Sequence, residues 1–269
     1  MISTKVYAMW KFLTSALVAA LLNSCAVSTF DPSTGQVRTT PASKSLMVKG
    51  AQQFEAMKRK NKVSSNTAHT AQVQRVAARL KPVIGIPNAN WEFVVFEDET
   101  PNAFALPGGK VGIHSGLFQI TRNDAALAAV LGHEIAHVVL NHSQQRVNQA
   151  VGIALGTLVL DQAMRQSGAS DGSRAATASG VAAVGSLGVL LPYSRKAEYE
   201  ADKLGALYMA RAGYNPEEAI ALWMRFAAWR EREKQREGPE LLRTHPVDGN
   251  RIKALQDFMP VAKRHYQPR

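Results

Sequence analysis

Apolar and polar positions recur with different periods along the chain, and the changes of period mark its elements. From residue 46 to 81 the pattern is helical, with Val73, Val76, Ala77 and Leu80 at three- and four-residue steps. A loop is expected over 82–90, around Pro87 and Asn88. Residues 91–96 are aromatic and β-branched, which predicts a strand, and 97–101 are polar enough to turn. Two further short strands, 103–106 and 110–114, are expected around the tight turn Pro107-Gly108-Gly109. From Asp124 onward the pattern is mainly helical. Asn123 can cap a helix running to about His142, with Asp124 in its first turn. Runs 147–160 and 175–191 are uncharged and rich in Ala, Gly, Val and Leu, which predicts a packed helical hairpin. Ser194 caps a helix over 195–212, Pro216 opens another to about Arg236, and a last one covers 249–259. The pattern describes an α+β chain, mainly helical, with a small β-sheet and no internal repeat.

The N-terminus carries a different signal. Lys5 and Lys11 precede an uncharged apolar run over 12–22, followed by Asn23, Ser24 and Cys25. This is the layout of a secretory signal, and the run is about half of the roughly 20 residues a spanning helix needs. Leu22-Asn23-Ser24-Cys25 resembles a bacterial lipobox, which implies a signal peptide over 1–24 and a lipid on Cys25. Residues 28–45 are rich in Ser, Thr, Pro and Gly, so 25–45 reads as a lipidated cysteine and flexible tether before a domain over 46–269. Ala26 is compatible with sorting to the outer membrane. A periplasm-facing lipoprotein of the bacterial cell envelope, held in the outer membrane, is the expected setting.

Composition narrows the chemistry. With 269 residues, 46% hydrophobic and 20% charged, the chain is neither wholly disordered nor a polytopic membrane protein. Its single cysteine excludes an intrachain disulfide framework and any cysteine-rich zinc module, so a zinc ion here would be held by histidines and carboxylates. Lys+Arg at 32 against Asp+Glu at 21 gives +11, which falls to +9 once 1–24 and its two lysines are removed. No basic-aromatic cluster or nucleic-acid module accompanies that excess, so no nucleic-acid partner is expected.

His133-Glu134-Ile135-Ala136-His137 is the centre of the sequence. Residues four apart on a helix share a face, so both imidazoles can reach one metal ion, with Glu134 beside it as a base. A bound zinc would polarise a carbonyl and lower the pKa of water. A catalytic site needs a third protein ligand and an open fourth position. The metzincin solution fails, because Ser143 stands where its third histidine belongs and Leu140 where its glycine does. His142 reads as a surface or capping residue, off the ligand face. Glu198 and Asp202 are four apart on the later helix; one could ligate while the other accepts the outer N–H of a ligand histidine. Glu200 reads as solvated or locally paired.

Taken together, these segments resemble peptidase family M48, closest to its soluble, lipoprotein-type branch. The resemblance rests on residues 102–109, on 130–137, on Ser194-Arg195 with Glu198 and Asp202, on Gly213-Tyr214-Asn215-Pro216, and on Thr244-His245-Pro246 with Arg251-Ile252. It implies a zincin-like metallopeptidase domain with one zinc held by His133, His137 and Glu198. Glu134 would be the general base, and Asp202 would sit behind the ligands. Asn102, Ala103, Phe104 and Ala105 would then form an edge strand beside the active-site helix, binding an extended substrate through its backbone. His245 would stabilise the oxyanion, occupy the fourth zinc position in a resting enzyme, or be structural. The function so implied is a membrane-anchored zinc endopeptidase acting on misfolded or unassembled envelope proteins in quality control. The alternative is a chaperone-like or scaffolding lipoprotein with a structural or plugged metal site.

Overall fold

The computed structural model describes residues 28–86, 89–167, 170–172, 193–232, 245–246 and 249–268. The leader 1–24, Cys25, the apolar run 175–191 and the charged segment 233–237 lie outside the described residues.

Residues 29–38 correct the expectation of a flexible tether over 25–45. Strands β1 (Thr29–Asp31) and β2 (Gln36–Arg38) form an antiparallel hairpin. Asp31 organises its turn, accepting from Ser33 N–H at 2.8 Å, Ser33 Oγ at 2.7 Å and Thr34 Oγ1 at 2.9 Å. Gly35 takes φ +71°, and its carbonyl accepts from Arg211 Nη2 at 3.2 Å. Phe30 packs edge-on against Phe258. Two three-residue strands alone would not hold; docking on the domain orders them.

The helical pattern over 46–81 divides into α1 (Lys44–Lys60), capped by Ser43, and α2 (Thr67–Leu80), capped by Asn66. Between them Val63 bridges to Phe96, and Ser64 N–H donates to Val95 O at 2.8 Å, which covers one edge of the sheet. That sheet contains β3 (Glu92–Phe96), β4 (Ala103–Leu106) and β5 (Lys110–His114) in the order β3-β5-β4. β3 runs parallel to β5 and β4 antiparallel to it, with Phe104 opposite Gly112. Gly108 and Gly109, both at positive φ, close the expected turn. Phe104 lies across Gly112, where any side chain would strike its ring, and meets Phe54 of α1 and Phe96 edge-on and stacked. Among the described residues β4 is the outer strand of this sheet, buried against the central helix.

After the short α3 (Phe118–Thr121) comes that central helix, α4 (Asp124–Val139), whose Asn123 cap accepts from Ala126 N–H at 2.8 Å. It is buried nearly all round, so its own sequence is almost uniformly apolar apart from His133, Glu134 and His137. α4 ends sooner than expected because Asn141 adopts the left-handed conformation, φ +58°, and starts a new helix, α5 (His142–Gln166). Val147, Val151, Val159 and Leu160 on α5 are exposed, and the second half of the expected hairpin lies outside the described residues. No described helix is long and apolar enough to cross a membrane.

Ser194 caps α6 (Arg195–Arg211), followed by α7 (Glu218–Arg232) and α8 (Gly249–Lys263). α6 lies against α4 at backbone contact. A Cβ on Gly205 would sit 2.8 Å from His133 N and 3.0 Å from the carbonyl carbon of Gly132. Two glycines facing each other thus bring the helix carrying His133 and His137 within reach of the one carrying Glu198 and Asp202. Gly205→Ala should lower stability by about 1–3 kcal/mol despite alanine's better helix propensity. Gly152→Ala, on α5 in open space, should raise it by about 0.5–1 kcal/mol. Denaturant melts of both variants check the pair; equal effects would mean that the α4–α6 contact is not tight.

Candidate metal centre

One turn of α4 and one turn of α6 face each other across this contact. His133 and His137 point from α4, Glu198 from α6, and His245 enters from the loop before α8; all four are buried. Their nearest donor atoms converge. His133 Nε2 lies 3.1 Å from His137 Nε2 and 3.2 Å from His245 Nδ1. Glu198 Oε1 lies 2.9 Å from His245 Nδ1 and 3.4 Å from His137 Nε2. One donor atom from each residue falls within 4.8 Å of all the others. Tetrahedral zinc with ligands at roughly 2.0–2.1 Å holds them about 3.3 Å apart, so this set is spaced for one such ion. The His/His/Glu/His cluster can therefore coordinate a single zinc ion per chain.

Behind these atoms each histidine is held from its other side. His133 Nδ1 donates to Asp202 Oδ1 at 2.9 Å, fixing the tautomer that leaves Nε2 free to coordinate. Arg251 in turn grips Asp202 with two bonds of 2.8 Å, meets Glu198 Oε2 at 2.7 Å and donates to Pro246 O at 2.9 Å. Its guanidinium also stacks on Trp223, whose ring abuts His133. The sequence singled out Arg251 without locating its partners; they are the two carboxylates of α6. Asp202 thus lies between His133 and Arg251.

His137 is held differently. His142, read from the sequence as a surface or capping residue, is buried, and its Nδ1 lies 2.8 Å from His137 Nδ1. With Nε2 of His137 facing the other ligands, the tautomer that leaves Nε2 free for a metal is the one in which its Nδ1–H donates to His142. His142 Nε2 faces Glu200 Oε2 at 3.4 Å without a formed hydrogen bond, so Glu200 is not merely solvated. The correction has a simple cause: a position five residues past His137 lies off the ligand face only if the helix continues, and Asn141 turns the chain back. Tyr193 was also missed. It stacks on His137 with ring centroids 4.0 Å apart, its Oη 3.3 Å from Ser143 Oγ and the Arg146 guanidinium over its ring. The only signal was an aromatic residue next to the Ser194 cap.

The base and the edge strand also meet. The Ala105 N–H donates to the Glu134 carboxylate, whose Oε1 is buried with no hydrogen-bond partner among the described residues. Asn102 O accepts from His114 N–H, so along β4 the groups of Asn102 and Phe104 pair inward while those of Ala103 and Ala105 face away from β5, where both residues are buried. Of the four residues expected to bind substrate, Ala103 and Ala105 present edge backbone, and Phe104 contributes packing under α1.

Burial and charge set the proton affinities. Burial raises the Glu134 pKa above the usual carboxylate range, against the pull of His245 and His133. Burial acts the same way on Glu198 and Asp202, but the neighbouring His245 and His137 hold Glu198 well below its ordinary value and Arg251 with His133 lowers Asp202. Burial depresses His137 strongly, favouring the neutral ring that binds metal. His245 is raised, since Glu134 and Glu198 outweigh its burial.

Against this geometry, the model of Peptidase family M48 matches residues 67–259. The chain belongs to peptidase family M48. Mitochondrial metalloendopeptidase OMA1 of Schizosaccharomyces pombe is 33% identical over 194 residues, which is 72% of this chain and 54% of that protein. The protein of the same name in Saccharomyces cerevisiae is 37% identical over 186 residues, 66% of this chain and 49% of the relative. The beta-barrel assembly-enhancing protease of Yersinia pestis is 32% identical over 192 residues, 67% of this chain and 38% of that protein. The chain thus spans about half the length of the two yeast relatives and less of the bacterial one. The M48 match covers α2 through most of α8, and so every residue of the cluster.

Arg251→Leu removes the cation that Glu198 and Asp202 were buried with, and should cost about 3–5 kcal/mol at neutral pH in metal-free protein. Both carboxylates are depressed in the folded wild type, so their contribution is present above the unfolded carboxylate pKa and lost as pH falls through the folded one. In the variant those acids are driven toward protonation, so its deficit relative to wild type should shrink between neutral pH and about pH 4. Urea melts across that range check it; a deficit that grows on acidification would contradict the pairing.

Proposed function

We propose that the protein is an envelope-anchored zinc endopeptidase that hydrolyses peptide bonds in misfolded or unassembled proteins. The observation that carries this reading is the convergence of His133, His137 and Glu198 with Glu134, beside the outer strand β4. Zinc, when bound, polarises the scissile carbonyl and acidifies water. The protein's own groups do the rest. The backbone N–H of Ala103 and the carbonyls of Ala103 and Ala105 hold the substrate as an added strand, the Ala105 N–H being engaged by Glu134; this mode reads main chain and so suits unfolded segments. Glu134 takes the proton of the attacking water on its unpartnered Oε1 and delivers it to the leaving nitrogen. Its raised pKa brings it toward the working pH, where it can serve as base and then as acid.

His245 completes a four-donor set, whereas a catalytic zinc keeps one position for substrate. We assign His245 to the resting state: it occupies the fourth position and withdraws when substrate binds. Its Nε2 lies 3.5 Å from Glu134 Oε1, so the same ring also covers the base. The closed donor set is the one observation that favours the second reading, a chaperone-like or scaffolding protein with a plugged site.

The lipobox-like Leu22-Asn23-Ser24-Cys25 supports attachment to the outer membrane through a lipid on Cys25. The name borne by the Yersinia pestis and Escherichia coli relatives, beta-barrel assembly-enhancing protease, supports β-barrel proteins in assembly as substrates.

Degradation of an unfolded protein by the zinc-loaded soluble form decides between the readings. Glu134→Gln should lower the rate by at least about a hundredfold, and His245→Ala should raise basal cleavage several-fold. Equal rates for wild type and Glu134→Gln would leave only the scaffolding reading, and a fall in His245→Ala would make His245 an oxyanion donor instead. Membrane fractionation of Cys25→Ala should show the protein released; an unchanged membrane fraction would remove the lipid anchor.

A further inference from the structure

Beside His137, where β4 gives way to its turn, lies a largely apolar cavity of about 350 Å³. Thr40, Ala42, Met47, Pro107, His137 and Val138 are among its walls. They come from three separate stretches: the strap that follows β2, the start of α1 with the β4–β5 turn, and the last turn of α4. Each is fixed by contacts that leave the cavity open. Thr40 N–H donates to Ser28 Oγ at 2.8 Å, and Thr40 O accepts from Asn141 Nδ2 at 3.2 Å. Ser43 N–H donates to Gln144 Oε1 at 3.2 Å, pinning the strap to α5 as well. Opposite, Gly50 allows α1 to rest on the Pro107 carbonyl, and Gly108 lies over Met47.

The strap's backbone groups are thus engaged with the protein itself, and the cavity is preformed and of the size that takes a side chain. Its position identifies the occupant. A peptide added along β4 with its cleaved bond at Ala105 and Glu134 reaches Pro107 two residues further on, about 7 Å at the rise of an extended chain. Alternate side chains of such a peptide point to one face, so one two residues from the cleaved bond would come level with Pro107, a wall of the cavity.

We propose that this cavity is a subsite for a bulky apolar side chain, Leu, Phe or Met, two residues from the cleaved bond. The N-terminal strap then helps set cleavage preference as well as leading to the anchor. The inference rests on the peptidase reading above, and the test separates the two.

Zinc-loaded wild type, Ala42→Trp and Met47→Ala would be given a denatured protein, with cleavage sites read by mass spectrometry, and a peptide series varied at that position. Wild type should favour Phe or Leu over Ala there by about tenfold in kcat/KM. Ala42→Trp fills the cavity and should bring that ratio to within about twofold. Met47→Ala enlarges it and should move the preference toward Trp; this variant decides the matter should Ala42→Trp not fold. A flat wild-type profile at that position, or profiles unchanged in both variants, overturns the subsite. Absence of any zinc-dependent cleavage by wild type would instead sink the peptidase reading.

Discussion

Glu134, Glu198 and Asp202 are buried within one small volume, and that burial constrains the rest of the molecule. Stripping a carboxylate of water costs several kcal/mol unless positive charge replaces the solvent. Among the described residues one permanently charged cation, Arg251, is buried with them. Glu198 and Asp202, both held toward the ionised form, outnumber that one guanidinium even before Glu134 is counted, and a divalent cation between His133, His137 and Glu198 would offset the excess. The metal is therefore expected to act on stability as well as on chemistry, with binding free energy appearing as folding free energy.

The helices are arranged to meet that constraint. Gly132 and Gly205 let α4 and α6 approach until the backbone of one touches the other, so ligands from both converge without long side chains. Short, packed side chains lose little rotamer freedom on binding, which favours a preformed geometry. Each of these side chains then has a partner of its own: Asp202 behind His133, His142 behind His137, Arg251 beside Glu198. Arg251 also donates to Pro246 O, next to His245, so the loop that carries His245 is tied to the same carboxylates of α6.

Much of this was legible before the structure, for reasons of range. The Asn123 cap, the strands flanking Pro107-Gly108-Gly109 and the Ser194 cap are local, and they form where their patterns place them. The His133–His137 and Glu198–Asp202 pairs are legible because a helix fixes which residues share a face. What escaped depends on tertiary contact or on one backbone angle. The β1–β2 hairpin has too few apolar positions to show a period and is ordered by Phe258, Leu207 and Arg211. His142 was misplaced because nothing in its neighbourhood except Asn141 indicates that α4 stops, and asparagine takes the left-handed conformation only sometimes. Tyr193 and Arg251 act across 50 or so residues of chain, where periodicity carries no information.

The central claim is that α4 and α6 jointly hold one zinc ion through nitrogen and oxygen donors. X-ray absorption on zinc-loaded protein, with metal content measured in parallel, tests it most directly. One zinc per chain is predicted, with nitrogen and oxygen at roughly 2.0–2.1 Å, an imidazole-rich outer shell and no sulfur. Glu198→Ala should lose zinc while retaining its fold. Sulfur in the shell, or full zinc occupancy in Glu198→Ala, would contradict a centre shared between the two helices.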